Sequence, residues 1–319
     1  MALPTPLHGV IPPVCTPLGP RGEVDTDSLT RLVGHLLDGG VHGLFALGST
    51  SEVAYLTDDQ RATALETVVK AAGGRVPVLA GAIDTTTPRV LDHARTAADL
   101  GADALVSTAP FYTRTHPREI ADHFRRLRST VDLPLFAYDI PMAVHTALPP
   151  SLVAELAADG TLAGLKDSSG DEGGLRRLLV RLGGRTGRRT GPAPGFSVLT
   201  GSELTVDAAL LAGADGVVPG LGNVDPAGYV RLYDAALAGD WERAAAEQER
   251  LVALFAITDA GPESEMGRSS SALGSFKAAL HLLGVLARGT TAFPQRPLSE
   301  ESVREVGRRL TAAGLPPVR

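Results

Sequence analysis

The stretch GADGVV at residues 213–218 repeats the stretch GADALV at residues 101–106. In each, a glycine of the kind that ends a helix is followed at once by a short apolar run. Looser copies of the pattern begin at Gly40 and Gly160. The glycines therefore stand at positions 40, 101, 160 and 213, and each interval has room for two β/α units of about 30 residues. The repeat predicts a chain of alternating strands and helices.

Further apolar runs lie between these glycines. They are VPVLA (76–80), LPLFAY (133–138) and FSVLT (196–200), and VIPPV (10–14) precedes the series. The two prolines of the last run weaken it as a strand. Counted with the runs that follow the glycines, these make eight strands, each apolar on both faces as buried parallel strands are.

Helix signals fill the intervals between the strands. Residues 57–60 (TDDQ) are a capping box, which predicts a helix to about Ala72. Asp27 is expected to cap a helix that runs to Leu37, and Pro117 is expected near the start of a helix at about 117–129. This alternation predicts an α/β fold, a (β/α)8 TIM barrel over residues 1–225 whose last strand ends near residue 219. A doubly wound open sheet is the alternative.

The rest of the chain is longer than one more helix requires. The segments Asp240–Ile257, Leu273–Leu286 and Ser299–Ala313 predict helices, with Ser299 as a cap. We therefore expect residues 226–319 to form a C-terminal helical extension packed on the barrel. The Gly-, Pro- and Arg-rich stretch 183–195 predicts a mobile loop on the bottom face, with a basic binding site as the alternative.

The composition argues against several classes of protein. The 319 residues are 44% hydrophobic and 21% charged, which suffices for a large core. A net charge of −6 argues against nucleic-acid binding. No apolar run reaches the roughly 20 residues of a membrane span, and the N-terminus does not resemble a signal peptide. A single cysteine, Cys15, fits a reducing compartment, so we expect a cytoplasmic protein without nucleic-acid or membrane partners.

Lysine is rare in this chain. Among the 30 basic residues only Lys70, Lys166 and Lys277 are lysines, and the others are arginines. Because arginine is the usual cation of this chain, a lysine indicates a position where the amine itself is needed. Lys166 ends the predicted sixth strand, and the active sites of such barrels lie at the C-terminal ends of the strands. Burial disfavours the ammonium form, and a neutral amine attacks a carbonyl. The alternative is a structural ion pair with Asp167 or another acid, and we expect Lys70 and Lys277 to face solvent or an interface.

Other polar side chains follow the strand ends. Tyr138 stands at the end of the fifth strand, where its phenol either moves a proton or simply packs. Ser49 and Thr50 lie in a glycine-led turn that offers hydroxyl and N–H donors to an anion such as a carboxylate, although ordinary turn chemistry explains them too. The eight histidines show no metal-binding spacing, and we find no phosphate-binding loop. We expect no metal and no cofactor.

Taken together, these motifs resemble the dihydrodipicolinate synthase/N-acetylneuraminate lyase family of class I pyruvate-dependent aldolases. The resemblance covers nearly the whole chain. It rests on Gly9-Val10-Ile11 with Thr16-Pro17, on GSTSE at 48–52, on Tyr138 with Ile140-Pro141, and on GLKDSSG at 164–170.

The resemblance implies a role for each matching residue. Lys166 would form a Schiff base with C2 of a 2-oxo acid, and Tyr138 would shuttle protons. Ser49 and Thr50 would bind the carboxylate, with Ser49 linking Tyr138 to Tyr112. The tyrosine that matches Tyr112 can reach in from a neighbouring subunit, which implies a homo-oligomer, a dimer or a homotetramer.

Departures from the family pattern bear on the substrate. Ser51 replaces a glycine of the turn, and Ala143 replaces an arginine that holds a substrate carboxylate in the synthases. The sialic-acid lyases have two adjacent acids after the glycine that matches Gly201, where this chain has only Glu203, and a serine that matches Gly220. We therefore expect neither of these substrates. Around the substrate we expect Gly201, Gly220 and Glu203, together with Asp139 and His145, although a structural role for His145 is an equal alternative.

The sequence thus predicts a lyase that joins or cleaves pyruvate and an aldehyde. The expected substrate is a 2-keto-3-deoxy sugar acid or another 4-hydroxy-2-oxo acid. One alternative is a dehydratase of a keto-deoxy sugar acid that uses the same imine. The other is a non-catalytic protein that binds 2-oxo acids.

Overall fold

The computed structural model describes residues 3–184 and 193–318. Within these residues eight strands all pair in parallel in one sheet. The strands are β1 (Gly9–Val10), β2 (Leu44–Ala46), β3 (Val78–Gly81), β4 (Ala104–Thr108), β5 (Leu135–Asp139), β6 (Gly164–Asp167), β7 (Ser197–Thr200) and β8 (Gly216–Val217). Their order in the sheet is β1-β8-β7-β6-β5-β4-β3-β2. This confirms the predicted parallel barrel and not a doubly wound sheet, whose strand order doubles back.

Helices alternate with the strands throughout the described ranges. They are α1 (Thr26–Asp38), α2 (Asp58–Ala72), α3 (Thr87–Asp99), α4 (Pro117–Thr130), α5 (Pro141–Val144), α6 (Pro150–Ala158), α7 (Glu172–Arg181), α8 (Val206–Ala212), α9 (Pro226–Ala238), α10 (Trp241–Phe255), α11 (Arg268–Leu282) and α12 (Glu300–Ala312). The capping box at residues 57–60 is confirmed at the start of α2. None of the helices in the described part of the chain is long and apolar enough to span a membrane.

The first strand is shorter than the predicted run 10–14. Pro12 and Pro13 lack the N–H group that a ladder requires. The chain still pairs here, because Phe45 N donates to Pro12 O at 3.0 Å and Val14 N donates to Phe45 O at 2.8 Å. The resulting parallel bridge between Pro13 and Phe45 joins the two ends of the sheet and closes the barrel.

Three boundaries differ from the sequence expectation. Helix α1 is capped by Asp25, whose carboxylate accepts the N–H of Ser28, and Asp27 lies in the first turn instead. Helix α11 starts at Arg268 and ends at Leu282, earlier at both ends than Leu273–Leu286. Most of the glycine-rich stretch 183–195 lies outside the described residues.

Helix α9 occupies the place of the eighth barrel helix. It packs against α8 and β1, and Pro226 at its start lies against Gly39 at the end of α1. Helix α9 therefore packs on the barrel, and the division of the chain at residue 225 stays a prediction. Helices α10, α11 and α12 follow it, and α10 packs along α9.

The buried side chains form two layers that the sheet separates. The larger layer lies between the strands and the helices. The smaller one fills the barrel interior and includes Phe45, Phe136, Tyr138 and Leu199. Because side chains alternate along a strand, every second residue of β5, β6 and β7 points inward. This alternation decides which side chains reach the interior.

We expect Gly216→Ala to destabilise the protein by about 1–3 kcal/mol or more. A Cβ atom at position 216 would overlap the backbone of Gly9 on the neighbouring strand, and backbone cannot move aside as a side chain can. The matched control is Gly34→Ala within α1, where an added Cβ meets no atom within 4 Å and replacing a helical glycine is stabilising. Urea unfolding measures both variants. Equal stability of the two variants would contradict this account of barrel closure.

Candidate active site

Lys166 lies inside the barrel at the C-terminal end of β6. Its side chain is 4% exposed, and its register partners are Tyr138 on β5 and Leu199 on β7. The Nζ atom lies 4.1 Å from the ring centroid of Tyr138 and 4.8 Å from that of Phe45. Asp167, the alternative partner, instead accepts a hydrogen bond from Ser169 N at 2.8 Å. The amine therefore lies against the faces of the Tyr138 and Phe45 rings.

The turn after β2 reaches the same place from across the barrel. Ser49 Oγ lies 3.0 Å from the Tyr138 hydroxyl, as the resemblance implied. Ser51 fixes the turn to the first strand, because its hydroxyl donates to Val14 O at 2.6 Å and accepts from Gly48 N at 3.1 Å. The serine at position 51 therefore adds a tether where the family pattern has a glycine. Thr50 is partly exposed beside it.

Glu203 is tied to the loop after β8. Its carboxylate accepts hydrogen bonds from Gly220 N (2.9 Å), Leu221 N (2.8 Å) and the Tyr229 hydroxyl (2.9 Å). Burial raises the pKa of Glu203 to about 7, and these hydrogen bonds and the charge of Lys166 offset only part of the rise. Glu203 thus shares the electrostatic environment of Lys166 while holding the loop.

The two glycines predicted to line the substrate sit in close packing. A Cβ atom at Gly220 would lie 3.0 Å from both Glu203 Oε1 and the Phe276 ring, so the serine found there in sialic-acid lyases would not fit without a shift. A Cβ atom at Gly201 would overlap the hydroxyl of Ser168. Close packing therefore accounts for the presence of glycine at positions 201 and 220.

Three of the predicted site residues do not lie next to Lys166. Asp139 points to the outer side of the sheet, where it accepts a hydrogen bond from Leu148 N at 3.1 Å and burial raises its pKa to about 6. His145 is exposed at the end of α5 with a φ of 56°. Tyr112 is 93% exposed, with a φ of 75° that is uncommon for a non-glycine residue. Its side chain is therefore open to solvent.

Sequence reasoning missed a buried ion pair beside the site. Lys277 was expected to face solvent or an interface, yet its side chain is fully buried within this chain and pairs with the equally buried Glu52. The amphipathic pattern of α11 misled the prediction, because most residues of this helix are buried and it packs mainly against α12 and the segment Ala256–Asp259. The rarity of lysine in this chain was the sequence signal that could have pointed to a special role for Lys277. Within the described ranges no group of three or more metal-ligating residues occurs.

The chain is similar to known proteins over nearly its whole length. The model of the dihydrodipicolinate synthetase family matches residues 6–313. An uncharacterised DapA-like lyase of Halobacterium salinarum is 34% identical over 312 residues, which cover 98% of this chain and 96% of the relative. A 4-hydroxy-tetrahydrodipicolinate synthase of Phenylobacterium zucineum is 33% identical over 312 residues, with 97% and 98% covered.

Solved structures agree with the sequence comparison. Dihydrodipicolinate synthase from Bacteroides thetaiotaomicron superposes with a TM-score of 0.88 at 32% identity, covering 98% of this chain and all (100%) of that one. YagE, an E. coli K12 prophage protein of the dihydrodipicolinic acid synthase family solved with pyruvate, gives a TM-score of 0.87 at 27% identity, covering 97% and 99%. The chain therefore belongs to the dihydrodipicolinate synthetase family and is a lyase of the pyruvate-dependent class I aldolase type.

Proposed function

We propose that Lys166 forms a Schiff base with pyruvate and that the enzyme joins or cleaves pyruvate and an aldehyde. The observation that carries the proposal is the buried Lys166 amine against the Tyr138 ring, with the Tyr138 hydroxyl 3.0 Å from Ser49. An amine in an apolar interior is suited to attack a carbonyl carbon. A phenol beside it is suited to move the protons that imine chemistry requires.

The reaction follows from the electron demand of the imine. The Nζ lone pair attacks C2, the former carbonyl oxygen leaves as water, and an iminium remains. The iminium withdraws electrons from C3, so that a C3 proton is lost to a base and an enamine forms. The enamine carbon attacks the aldehyde carbon, whose oxygen takes up a proton, and water then releases the product and frees Lys166. Tyr138 passes these protons, and the iminium is the electron sink, so the proposal needs no cofactor.

The turn after β2 is suited to hold the carboxylate of the 2-oxo acid. The hydroxyls of Ser49 and Thr50 are accessible, and in the described part of the chain the backbone N–H groups of both residues have no intramolecular acceptor. Hydroxyl and N–H donors gathered in a turn form an anion-binding concavity. The substrate carboxylate would satisfy them.

Tyr112 supports a homo-oligomer. Its side chain is 93% exposed, although the resemblance assigns it to the proton relay. A second copy of the chain that received Tyr112 next to its own Ser49 would complete the relay. We propose a dimer or a tetramer on this ground.

The departures from the synthases favour a substrate without a second carboxylate near α5. Ala143 is exposed and offers no cation there. The proposed substrate class is a 2-keto-3-deoxy sugar acid or another 4-hydroxy-2-oxo acid. A dehydratase of such an acid is the second candidate, since loss of water from C4 also proceeds through the enamine. Product analysis separates the two, because only the aldolase changes the number of carbon atoms.

We expect borohydride to trap pyruvate on Lys166. Reduction of the iminium gives a stable secondary amine, which peptide mass spectrometry locates. Lys166→Arg should give no adduct, and Lys70→Arg, a change at an exposed side chain, should behave as the wild type. A folded wild-type protein without an adduct would argue for the non-catalytic binding protein, and an adduct on another lysine would contradict the assignment to Lys166.

We expect Tyr138→Phe to lower kcat by about 10²–10⁴-fold, because it removes the proton-transfer group and keeps the ring under Lys166. The adduct with pyruvate should still form, but more slowly. The control is Tyr233→Phe, a buried tyrosine on α9 that packs against His42 before the start of β2, at the opposite end of the barrel. Steady-state kinetics of aldehyde release measure both. A Tyr138→Phe enzyme as fast as the control would remove Tyr138 from the proposal.

We expect the advantage in stability of the wild type over Glu203→Gln to shrink as pH rises from 4.5 to 7.5. Folding raises the pKa of Glu203 from 4.5 to about 7, so the folded state holds a proton that the unfolded state releases in this range. The stabilisation that comes from this retained proton is complete below pH 4.5 and is lost as the pH rises through 7. The change is about 1–3 kcal/mol at about 1.4 kcal/mol per pKa unit. Urea unfolding measures it, with the exposed Glu249→Gln as control; an advantage that is constant or grows with pH would refute the assignment.

A further inference from the structure

The turn that carries Ser49 and Thr50 ends on a residue in an unfavourable backbone conformation. Glu52 has a φ of 60°, in the left-handed region that favours glycine. Its N–H donates to Ser49 O at 3.0 Å, so the orientation of Ser49 depends on Glu52 staying in this conformation. A non-glycine residue remains in this region only when its surroundings hold it there.

The C-terminal segment supplies that hold. The Glu52 carboxylate pairs with Lys277 of α11 and accepts a hydrogen bond from Ala292 N at 2.7 Å. Lys277 Nζ also donates to Thr290 O at 2.8 Å. Both charged side chains are fully buried. One ion pair and one hydrogen bond thus join the turn after β2 to helix α11 and the loop after it, more than 200 residues later in the chain. The hydrogen bond from Lys277 to Thr290 ties that helix to that loop.

The geometry explains why the cation is a lysine. The ammonium has three donors on one atom, and here it faces one carboxylate and one carbonyl. A guanidinium would bring five donors in a rigid planar fork into a site with no exposure to water, where unmatched donors are costly. In a chain that otherwise prefers arginine, the amine of Lys277 is therefore kept for its small size.

The same turn is in contact with the reacting groups. Ser49 Oγ lies 3.0 Å from the Tyr138 hydroxyl, and the Tyr138 ring lies 4.1 Å from Lys166 Nζ. A turn that relaxed from its left-handed end would move both the Ser49 hydroxyl and the N–H groups beside it. The donors proposed for the carboxylate would then no longer converge.

We propose that Glu52 and Lys277 are positioning residues that set the affinity for the carboxylate of the 2-oxo acid. The inference rests on the proposed function, because it needs the turn after β2 to bind that carboxylate. The pair touches no reacting atom. It acts by holding the Ser49–Thr50 turn in its binding conformation, and it makes the C-terminal helix α11 part of the active site.

The test is the pyruvate concentration that gives half-maximal borohydride trapping. We expect Glu52→Gln and Lys277→Met to raise this concentration about tenfold or more, with the adduct still on Lys166 and a near wild-type trapping rate at saturation. The double variant removes both charges and leaves neither one buried alone, so it is expected to fold even where Lys277→Met does not. Its half-saturation concentration should rise to the same extent.

The chain offers a matched control in its other lysine–glutamate pair. Lys70 and Glu66 form an exposed ion pair of 3.2 Å along α2, and Lys70→Met with Glu66→Gln should leave half-saturation unchanged. Thermal melts of every variant set the assay temperature well below unfolding. A purely structural pair would lower the melting temperature and leave half-saturation at the wild-type value, which would overturn the inference. No trapping in the wild type would instead overturn the proposed function itself.

Discussion

The parallel register between β5 and β6 is the constraint on which the site depends. Tyr138 pairs with Lys166 across these strands, so the alternation of side chains sends both into the barrel at the same height. A slip of either strand by one residue would point its own side chain at the helices and bring Asp139 or Asp167 inward in its place. Small residues help to preserve the register, since a side chain at Gly164 would overlap Phe136 on the neighbouring strand.

The C-terminal helices do more than cover the barrel. Gln248 of α10 donates to Glu203 O at 2.9 Å and its side-chain oxygen accepts from Val206 N, which ties α10 to the loop after β7. Lys277 of α11 does the same for the turn after β2 through Glu52. A buried charge left without its partner is strongly destabilising, so the helices and the loops must assemble together. The positions of the loops around the site are therefore determined by the barrel strands that carry them and by the C-terminal helices that contact them.

Family membership fixes the type of chemistry, and the loops decide the substrate. The packing of Gly220 against Phe276 and Glu203 closes off the place where a relative has a serine. Glu203 has three hydrogen-bond donors on its carboxylate and so is largely occupied in holding the loop after β8.

The sequence by itself determined the fold and placed Lys166 and Tyr138 at the ends of neighbouring strands. Each strand and most helices carry local signals, apolar runs and caps, and Lys166 and Tyr138 stand at strand ends that can be counted along the chain. The outward direction of Asp139 also follows from its place next to the inward-facing Tyr138 on β5. Only the tertiary structure, by contrast, decided that Tyr112 is exposed and that Lys277 is buried against Glu52. The physical reason is that these facts depend on which surface covers a side chain. Residues far apart in the chain provide that surface, and no local pattern records it.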